Sequence, residues 1–300
     1  MKIEILPPQG ISELGNRQNQ EDSLYPSLES ATAGDRLFMV CDGMGGHEHG
    51  EVASRLVCDV LSEYLKEHWT DGSVLSDDVL QDAIDEVFRR INALDDGSTR
   101  QMGTTLTLIA LHQGGTTMAH IGDSRIYHLR PSEKRILYKS RDHSLAYDLF
   151  LAGEITLEEM KHYDRKNVIT RAIMPGMERQ PRLDIAHTTD LQPGDYFLLC
   201  SDGLLERMDD HQLLALLSTD KSDQEKRNQL ITITQLNADN HSAWLVQVKA
   251  VTQEAGDEKQ KNDEVTARCN AMLYEMEDTE EKRPKSAISR LFGRLFGKLL

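Results

Sequence analysis

Residues 104–139 read TTLTLIALHQGGTTMAHIGDSRIYHLRPSEKRILYK. Four runs rich in apolar and β-branched residues alternate with short polar breaks. The runs are Thr104 to His112, Thr116 to Ile121, Arg125 to Arg130 and Arg135 to Lys139. The breaks are Gln113-Gly114-Gly115, Gly122-Asp123-Ser124 and Pro131-Ser132. Strands joined by such breaks read as an antiparallel meander. Upstream, Leu37 to Cys41 is a continuous apolar run of strand length, the pattern of a buried strand. Val52, Ala53, Leu56, Val57, Val60, Leu61, Tyr64 and Leu65 recur at helical spacing and predict a helix over about Gly50 to His68. A second helix follows over about Val79 to Ile91, with Ser76 as its N-cap. Downstream, helical patterns fall between Ser144 and Met174, and strands at about Arg182 to Thr188 and Asp195 to Cys200. Helices at about Asp210 to Leu217 and Asp223 to Leu236 and a strand from Ala243 to Val248 complete the set. Helices grouped away from antiparallel strands indicate an α+β layered fold, two sheets covered by helix pairs.

The chain has 300 residues, 39% hydrophobic and 28% charged, which suits a soluble globular protein with a sizeable core. Its formal net charge of −16 argues against a nucleic-acid partner, because phosphate backbones select basic faces. An anionic substrate would need local positive charge or bound cations to draw it in. Cys41, Cys58, Cys200 and Cys269 show no zinc-like spacing, and Cys41 and Cys200 end apolar runs as small buried hydrophobes do. Met1 to Gly15 contains no apolar segment of signal-peptide type, and no run reaches the roughly 20 apolar residues of a membrane span. A cytoplasmic setting is expected. Composition divides the chain into a domain over 1–250, a charged flexible extension over 251–285 and a basic amphipathic tail over 286–300.

Acidic residues recur where apolar strands stop. Asp42 follows Met39-Val40-Cys41, Asp123 follows His120-Ile121-Gly122, and Asp202 follows Leu198-Leu199-Cys200-Ser201. Asp239 precedes the strand Ala243 to Val248, and Glu21-Asp22 precedes the first core strand. One Asp-Gly pair is ordinary turn chemistry. A whole set in the same strand-end context can converge on one sheet edge, where carboxylates repel unless a cation lies among them. Oxygen ligands of this kind suit Mg²⁺ and Mn²⁺. Glycine after Asp42 and Asp202 lets the backbone turn tightly, so a carbonyl can also reach a metal. Arg17, shortly before Glu21-Asp22, could hold two phosphate oxygens in its guanidinium fork.

These segments resemble the bacterial form of the metal-dependent protein phosphatase 2C family. The resemblance rests on Arg17-Gln18-Asn19-Gln20-Glu21-Asp22, Asp42-Gly43-Met44-Gly45-Gly46-His47, and Met102-Gly103-Thr104-Thr105. It continues through Gly122-Asp123-Ser124-Arg125, Arg141-Asp142-His143-Ser144, Asn167-Val168-Ile169-Thr170-Arg171-Ala172, Pro193-Gly194-Asp195, Ser201-Asp202-Gly203 and Asp239-Asn240-His241-Ser242. The ordered set covers about Ser12 to Val248 and is specific.

The resemblance implies a four-layer α-β-β-α sandwich of two antiparallel sheets flanked by helix pairs. It implies a protein serine/threonine phosphatase in which a metal-activated water attacks phosphorus at a binuclear Mn²⁺ or Mg²⁺ site. By position, Asp42 would bridge two metals and Gly43 would offer its carbonyl. Asp202 and Asp239 would hold one metal, and Glu21 or Asp22 would serve the other. By the same resemblance, Asp42, Asp202 and Asp239 would form the catalytic set. Asp123, with Asp202, would contribute to a third, weaker metal, and Arg17 would bind the substrate phosphate. Residues 146–170 would form a flap beside the site. A phosphoprotein substrate and an opposing Ser/Thr kinase are implied as partners, and the chain is expected to be a monomer.

Met44 stands where animal relatives carry a histidine proposed as general acid, and neither His47 nor His49 is given that role. Leu236-Asn237-Ala238 precedes Asp239 where many relatives have glycine. The tail has no counterpart in the resemblance. Its apolar pairs repeat every four residues beside Arg290, Arg294 and Lys298, as in a helix meeting an anionic membrane or a partner groove. A competing reading of the chain is a phosphoprotein-binding regulatory module with this fold and no catalysis. Such modules usually lose metal-site acids, and Asp42, Asp123, Asp202 and Asp239 are all present.

Overall fold

A computed structural model of the chain describes residues 1–45, 49–70, 72–94, 102–165, 168–177 and 179–253. The expected 251–285 extension, beyond its first residues, and the tail over 286–300 lie outside these residues, as do His47 and Asn167.

Two antiparallel sheets stack face to face. The first has the order β1 (Lys2–Ile5), β13 (His241–Thr252), β12 (Tyr196–Cys200), β9 (Arg125–Arg130), β10 (Arg135–Lys139), and β2 (Gln9–Glu13) also pairs with β13. The second has the order β11 (Asp184–Thr188), β8 (Gly115–Ile121), β7 (Leu106–His112), β4 (Leu37–Cys41), β3 (Ser23–Tyr25). A two-stranded ribbon pairs β5 (Gly43–Met44) with β6 (Gly103–Thr104).

The side-chain period of two, with both faces of each sheet covered, explains why β4, β7, β8 and β12 are buried along their whole length. Phe38 and Val40 of β4, with Ile109 and Leu111 of β7, face the other sheet. There they meet Ile126, Phe197, Leu199, Trp244 and Val246. The alternate residues of the second sheet, among them Met39, Cys41, Leu106 and Leu108, face α1 (His49–His68) and α2 (Asp77–Ala93). The alternate residues of the first sheet, Tyr127, Leu129, Tyr196, Leu198 and Leu245, face α5 (Asp210–Leu217) and α6 (Asp223–Thr234). Three apolar layers therefore bind four layers of structure, α-β-β-α, as expected. Ser76 caps α2 by accepting the Val79 N–H, a contact worth about 1 kcal/mol.

The meander reading needs correction at one point. β7 pairs with β8 and β9 pairs with β10, but β8 and β9 belong to different sheets. The chain crosses between sheets at Gly122-Asp123-Ser124. Gly122 has φ +108°, and a Cβ there would lie 2.5 Å from Thr105 Cγ2, so only glycine fits the crossing. The helical pattern of 144–174 resolves into two short helices, α3 (Leu145–Leu151) and α4 (Leu157–Lys161), then irregular chain carrying two isolated bridges. The last strand is longer than expected. It runs four residues past Val248, with Val251 opposite Ile3 and Thr252 opposite Lys2.

Candidate active site

Register brings the acidic residues to one end of both sheets. Ser23 pairs with Cys41, so Asp22 and Asp42 extend from adjacent strand ends. Cys200 pairs with both Arg125 and Ala243, so Asp202, Asp123 and the Asp239 loop extend from neighbouring ends in the first sheet. Hydrogen bonds join the two groups across the sandwich. Ser201 Oγ, held by the Ser242 N–H at 3.0 Å, donates to Asp22 Oδ2 at 2.8 Å. The Thr105 and Ser124 hydroxyls meet at 2.7 Å, and Thr105 Oγ1 accepts the Asp42 N–H at 3.0 Å.

The backbone around Asp42 is tightly fixed. Its carbonyl accepts from the Thr105 N–H and from Thr104 Oγ1, each at 2.9 Å. The Gly43 N–H donates to Glu21 O at 3.2 Å, and a Cβ on Gly43 would lie 2.2 Å from Gly50 O. Glu21 is tied to the opposite segment, where its N–H donates to Asn240 Oδ1 at 2.9 Å. The Asn240 N–H in turn donates to Asp239 Oδ1 at 2.8 Å. Gly203, after Asp202, has no room for a Cβ, which would lie 2.0 Å from Asn240 O.

The Asp239 loop is held by hydrogen bonds from two sides. Asn237 Nδ2 donates to Gly203 O at 2.7 Å, and Glu206 accepts the N–H groups of Ala238 and Asp239 at 2.8 and 3.1 Å. Arg17 Nη2 donates to Asp239 Oδ2 at 2.6 Å, with both side chains partly in solvent. Sequence reading gave no role to Glu206 or Asn240. Glu206 carries no local signal, while Asn240 stood inside a quoted motif as a neighbour of Asp239.

The electrostatics show that the carboxylates share one field. Burial pushes Asp42 well above the usual carboxylate range, and the charges of Asp22, Asp202, Asp123 and Asp239 push it further. Burial and Asp202 do the same to Asp123. Asp22 is raised to about 7, first by burial and then against the Ser201 hydrogen bond, and Asp202 to about 6 by burial and Asp239. Asp22 Oδ1 and Asp123 Oδ1 are buried with no protein partner. Buried oxygens without donors, among carboxylates that repel, are the environment a hard divalent cation would relieve. The donor chemistry therefore suits such a cation.

A second cluster lies nearby. Ligand atoms of His120, His143 and Asp184 fall within 4.8 Å of one another. Asp184 is already engaged by His143 at 3.1 Å, Arg171 at 3.1 Å and Arg141 at 3.5 Å. Two guanidinium charges at that carboxylate oppose a further cation, so the cluster is an ion-pair network.

Residues 9–248 match the model of the family described as protein phosphatase 2C. The chain belongs to the protein phosphatase 2C family. It is 34% identical over 201 residues to the serine/threonine phosphatase stp of Listeria innocua, covering 65% of this chain and 77% of that one. The structure of the serine/threonine phosphatase PstP/Ppp of Mycobacterium tuberculosis matches with 32% identity and a TM-score of 0.68, covering 82% of this chain and all of that one. The PstP catalytic domain in complex with two manganese ions matches with 33% identity and a TM-score of 0.67, covering 82% of this chain and 99% of that one. This phosphatase 2C is thus a serine/threonine protein phosphatase, with a phosphoprotein substrate and dependence on a divalent metal. No described helix is long and apolar enough to cross a membrane.

Proposed function

We propose that this phosphatase 2C hydrolyses phosphoserine and phosphothreonine at a binuclear Mn²⁺ or Mg²⁺ site held by Asp42, Asp202 and Asp239. Glu21 or Asp22 and the Gly43 carbonyl complete that site, and Asp123 with Asp202 serves a third, weaker cation. The observation that carries this reading is that strand register gathers Asp22, Asp42, Asp123 and Asp202 at one end of both sheets, with buried oxygens of Asp22 and Asp123 left without a donor. When bound, the cations would acidify a water and offset charge on the phosphoryl oxygens.

The chain's own residues do the rest. Thr104 and Thr105 fix Asp42 through its backbone, leaving its carboxylate free to coordinate. Ser201 orients Asp22, so that Oδ1 is the oxygen left open. Arg17 is tethered to Asp239 at 2.6 Å, close enough to the acidic cluster to exchange that partner for substrate phosphate oxygens. Among the described residues no side chain of this arrangement is set as a nucleophile, and a direct attack by water needs none.

The docking-module alternative is disfavoured because every expected acid is retained. An opposing Ser/Thr kinase, a cytoplasmic setting, a monomeric state and a tail that meets an anionic membrane or a partner complete the proposal. The test is phosphate release from a phosphothreonine peptide by wild type and Asp42→Asn, with Mn²⁺ and with chelator. Release that requires Mn²⁺ and is lost in Asp42→Asn is expected. No release from folded wild type under any metal condition would favour the docking module.

A further inference from the structure

Both backbone polar groups of Gly122 go to one residue. The Gly122 N–H donates to His143 Nδ1 at 3.0 Å, and Gly122 O accepts the His143 N–H at 3.0 Å. An amide N–H can only donate, so Nδ1 carries the lone pair and the ring proton sits on Nε2. That Nε2–H faces Asp184 Oδ2 at 3.1 Å. The approach of Arg171 Nη1 to Nε2 at 3.3 Å is then a meeting of two donors, and the true acceptor of Arg171 is Asp184 Oδ1 at 3.1 Å.

The ring is held on its face as well. It stacks on His120, with centroids 4.7 Å apart and planes 13° from parallel. His120 is fixed by its Nε2–H to Arg141 O at 2.8 Å. Gly122 therefore sits in a clamp, with His143 bonding its polar groups and Thr105 filling the space a Cβ would need. Thr105 is also the residue that accepts the Asp42 N–H. His143 O accepts the Thr170 N–H at 2.8 Å, so the segment 145–169 leaves and returns at the same residue.

We propose that His143 is a positioning residue, holding the Gly122-Asp123 crossing so that the Asp123 carboxylate is set for cation binding. This rests on the metal-site reading of Asp123 above. The chemistry is specific to one ring atom. The acceptor at Nδ1 fixes the crossing, while the Nε2–H contact with Asp184 fixes the tautomer that makes Nδ1 an acceptor. Asp123 Oδ1 has no protein donor of its own, so its placement depends on this backbone.

Two substitutions separate the ring atoms. His143→Asn keeps an acceptor near the Nδ1 position and loses the reach to Asp184. His143→Gln carries its amide out to the Nε2 distance and loses the acceptor for Gly122. Mn²⁺ binding to the full chain is read by calorimetry, with Asp123→Asn marking the binding event that depends on Asp123. His143→Gln should weaken that event by about tenfold and leave the others alone, while His143→Asn stays within about twofold of wild type. Equal affinity in His143→Gln and wild type, or equal weakening in both variants, would overturn the proposal. So would retention of the event in Asp123→Asn with its loss in His120→Asn, which would put the cation on the histidine cluster.

A second measurement needs no variant at 143. In a Mg²⁺ titration followed by NMR, the His143 ring nitrogen signals should move with the Asp123-dependent event in wild type and stay still in Asp123→Asn. Unmoved signals in wild type would contradict the proposal even if His143→Gln failed to fold. Absence of any Mn²⁺ binding, with Asp42→Asn behaving as wild type, would instead sink the metal-site reading itself.

Discussion

Arg17 and Asp239 are 222 residues apart in sequence, and Arg17 Nη2 donates to Asp239 Oδ2 at 2.6 Å. The pair links the N-terminal segment to the loop before β13. Its side chains are 54% and 36% exposed, so the pair itself adds little to stability. Arg17→Ala should leave the melting temperature nearly unchanged. It should raise KM for a phosphothreonine peptide by roughly tenfold, about 1.4 kcal/mol of binding. Steady-state kinetics beside a thermal melt check this. A large loss of stability with unchanged KM would mean Arg17 serves the fold.

The acidic cluster makes stability depend on pH when cations are withheld. Asp22 and Asp202 are raised to about 7 and about 6 in the folded chain, above the ordinary carboxylate value. The folded state therefore binds more protons than the unfolded state between about pH 4 and 7, and stability falls as pH rises through that window. Melting temperature in chelator should drop from pH 5 to pH 8. Mn²⁺ should raise it more at pH 8 than at pH 5, because the cation competes with protons for the same oxygens. An equal Mn²⁺ effect at both values would contradict the shared-field account.

Gly43 admits no side chain, since a Cβ would lie 2.2 Å from Gly50 O and 2.5 Å from Glu21 O. Backbone on both sides cannot yield cheaply. Gly43→Ala should cost about 2 kcal/mol or more in stability and reduce Mn²⁺ affinity. Chemical denaturation and calorimetry read the two effects.

Asp195 shows what a structural acid looks like in the same chain. It lies just before β12, is 1% exposed and bonds to His128 at 3.0 Å and to Arg130 at 2.9 Å, both on β9. Removing it leaves the buried Arg130 with less of its counter-charge. Asp195→Ala should cost about 3–5 kcal/mol by denaturant unfolding while the number of Mn²⁺ bound by the remaining folded protein stays the same.

Deleting residues 286–300 should leave hydrolysis of a small phosphate ester intact while weakening binding to vesicles of anionic lipid. Loss of that hydrolysis on deletion would tie the tail to the catalytic domain.

How much of this was legible in the sequence depended on the physical signal at each place. Leu37 to Cys41 is buried on both faces, so its apolar run was unmistakable as a core strand. The first helix pair followed from its amphipathic spacing and from the Ser76 cap. The break in the meander at Gly122 was not legible, because a glycine between strands looks alike whether the chain turns back or crosses to another sheet. β1 and β3 span only four and three residues, too short for a pattern of period two to stand out. The strand-end acids were visible as residue types in a repeated context. Ser201 and Asn240 lie inside the quoted motifs, but their bonds to Asp22 and Glu21, like the bonds of Glu206 to the Asp239 loop, are set by tertiary proximity, which no local pattern encodes. His143 stood within a quoted motif, yet its grip on Gly122 appears only when the sheet crossing is known.

The most direct measurement is a calorimetric titration of chelator-stripped protein with Mn²⁺, comparing wild type with Asp42→Asn near pH 7.5. The account predicts at least two binding events in wild type and loss of the tightest in Asp42→Asn, with both proteins folded. Unchanged Mn²⁺ binding after that substitution would contradict the claim that these strand-end carboxylates build the metal site of this phosphatase.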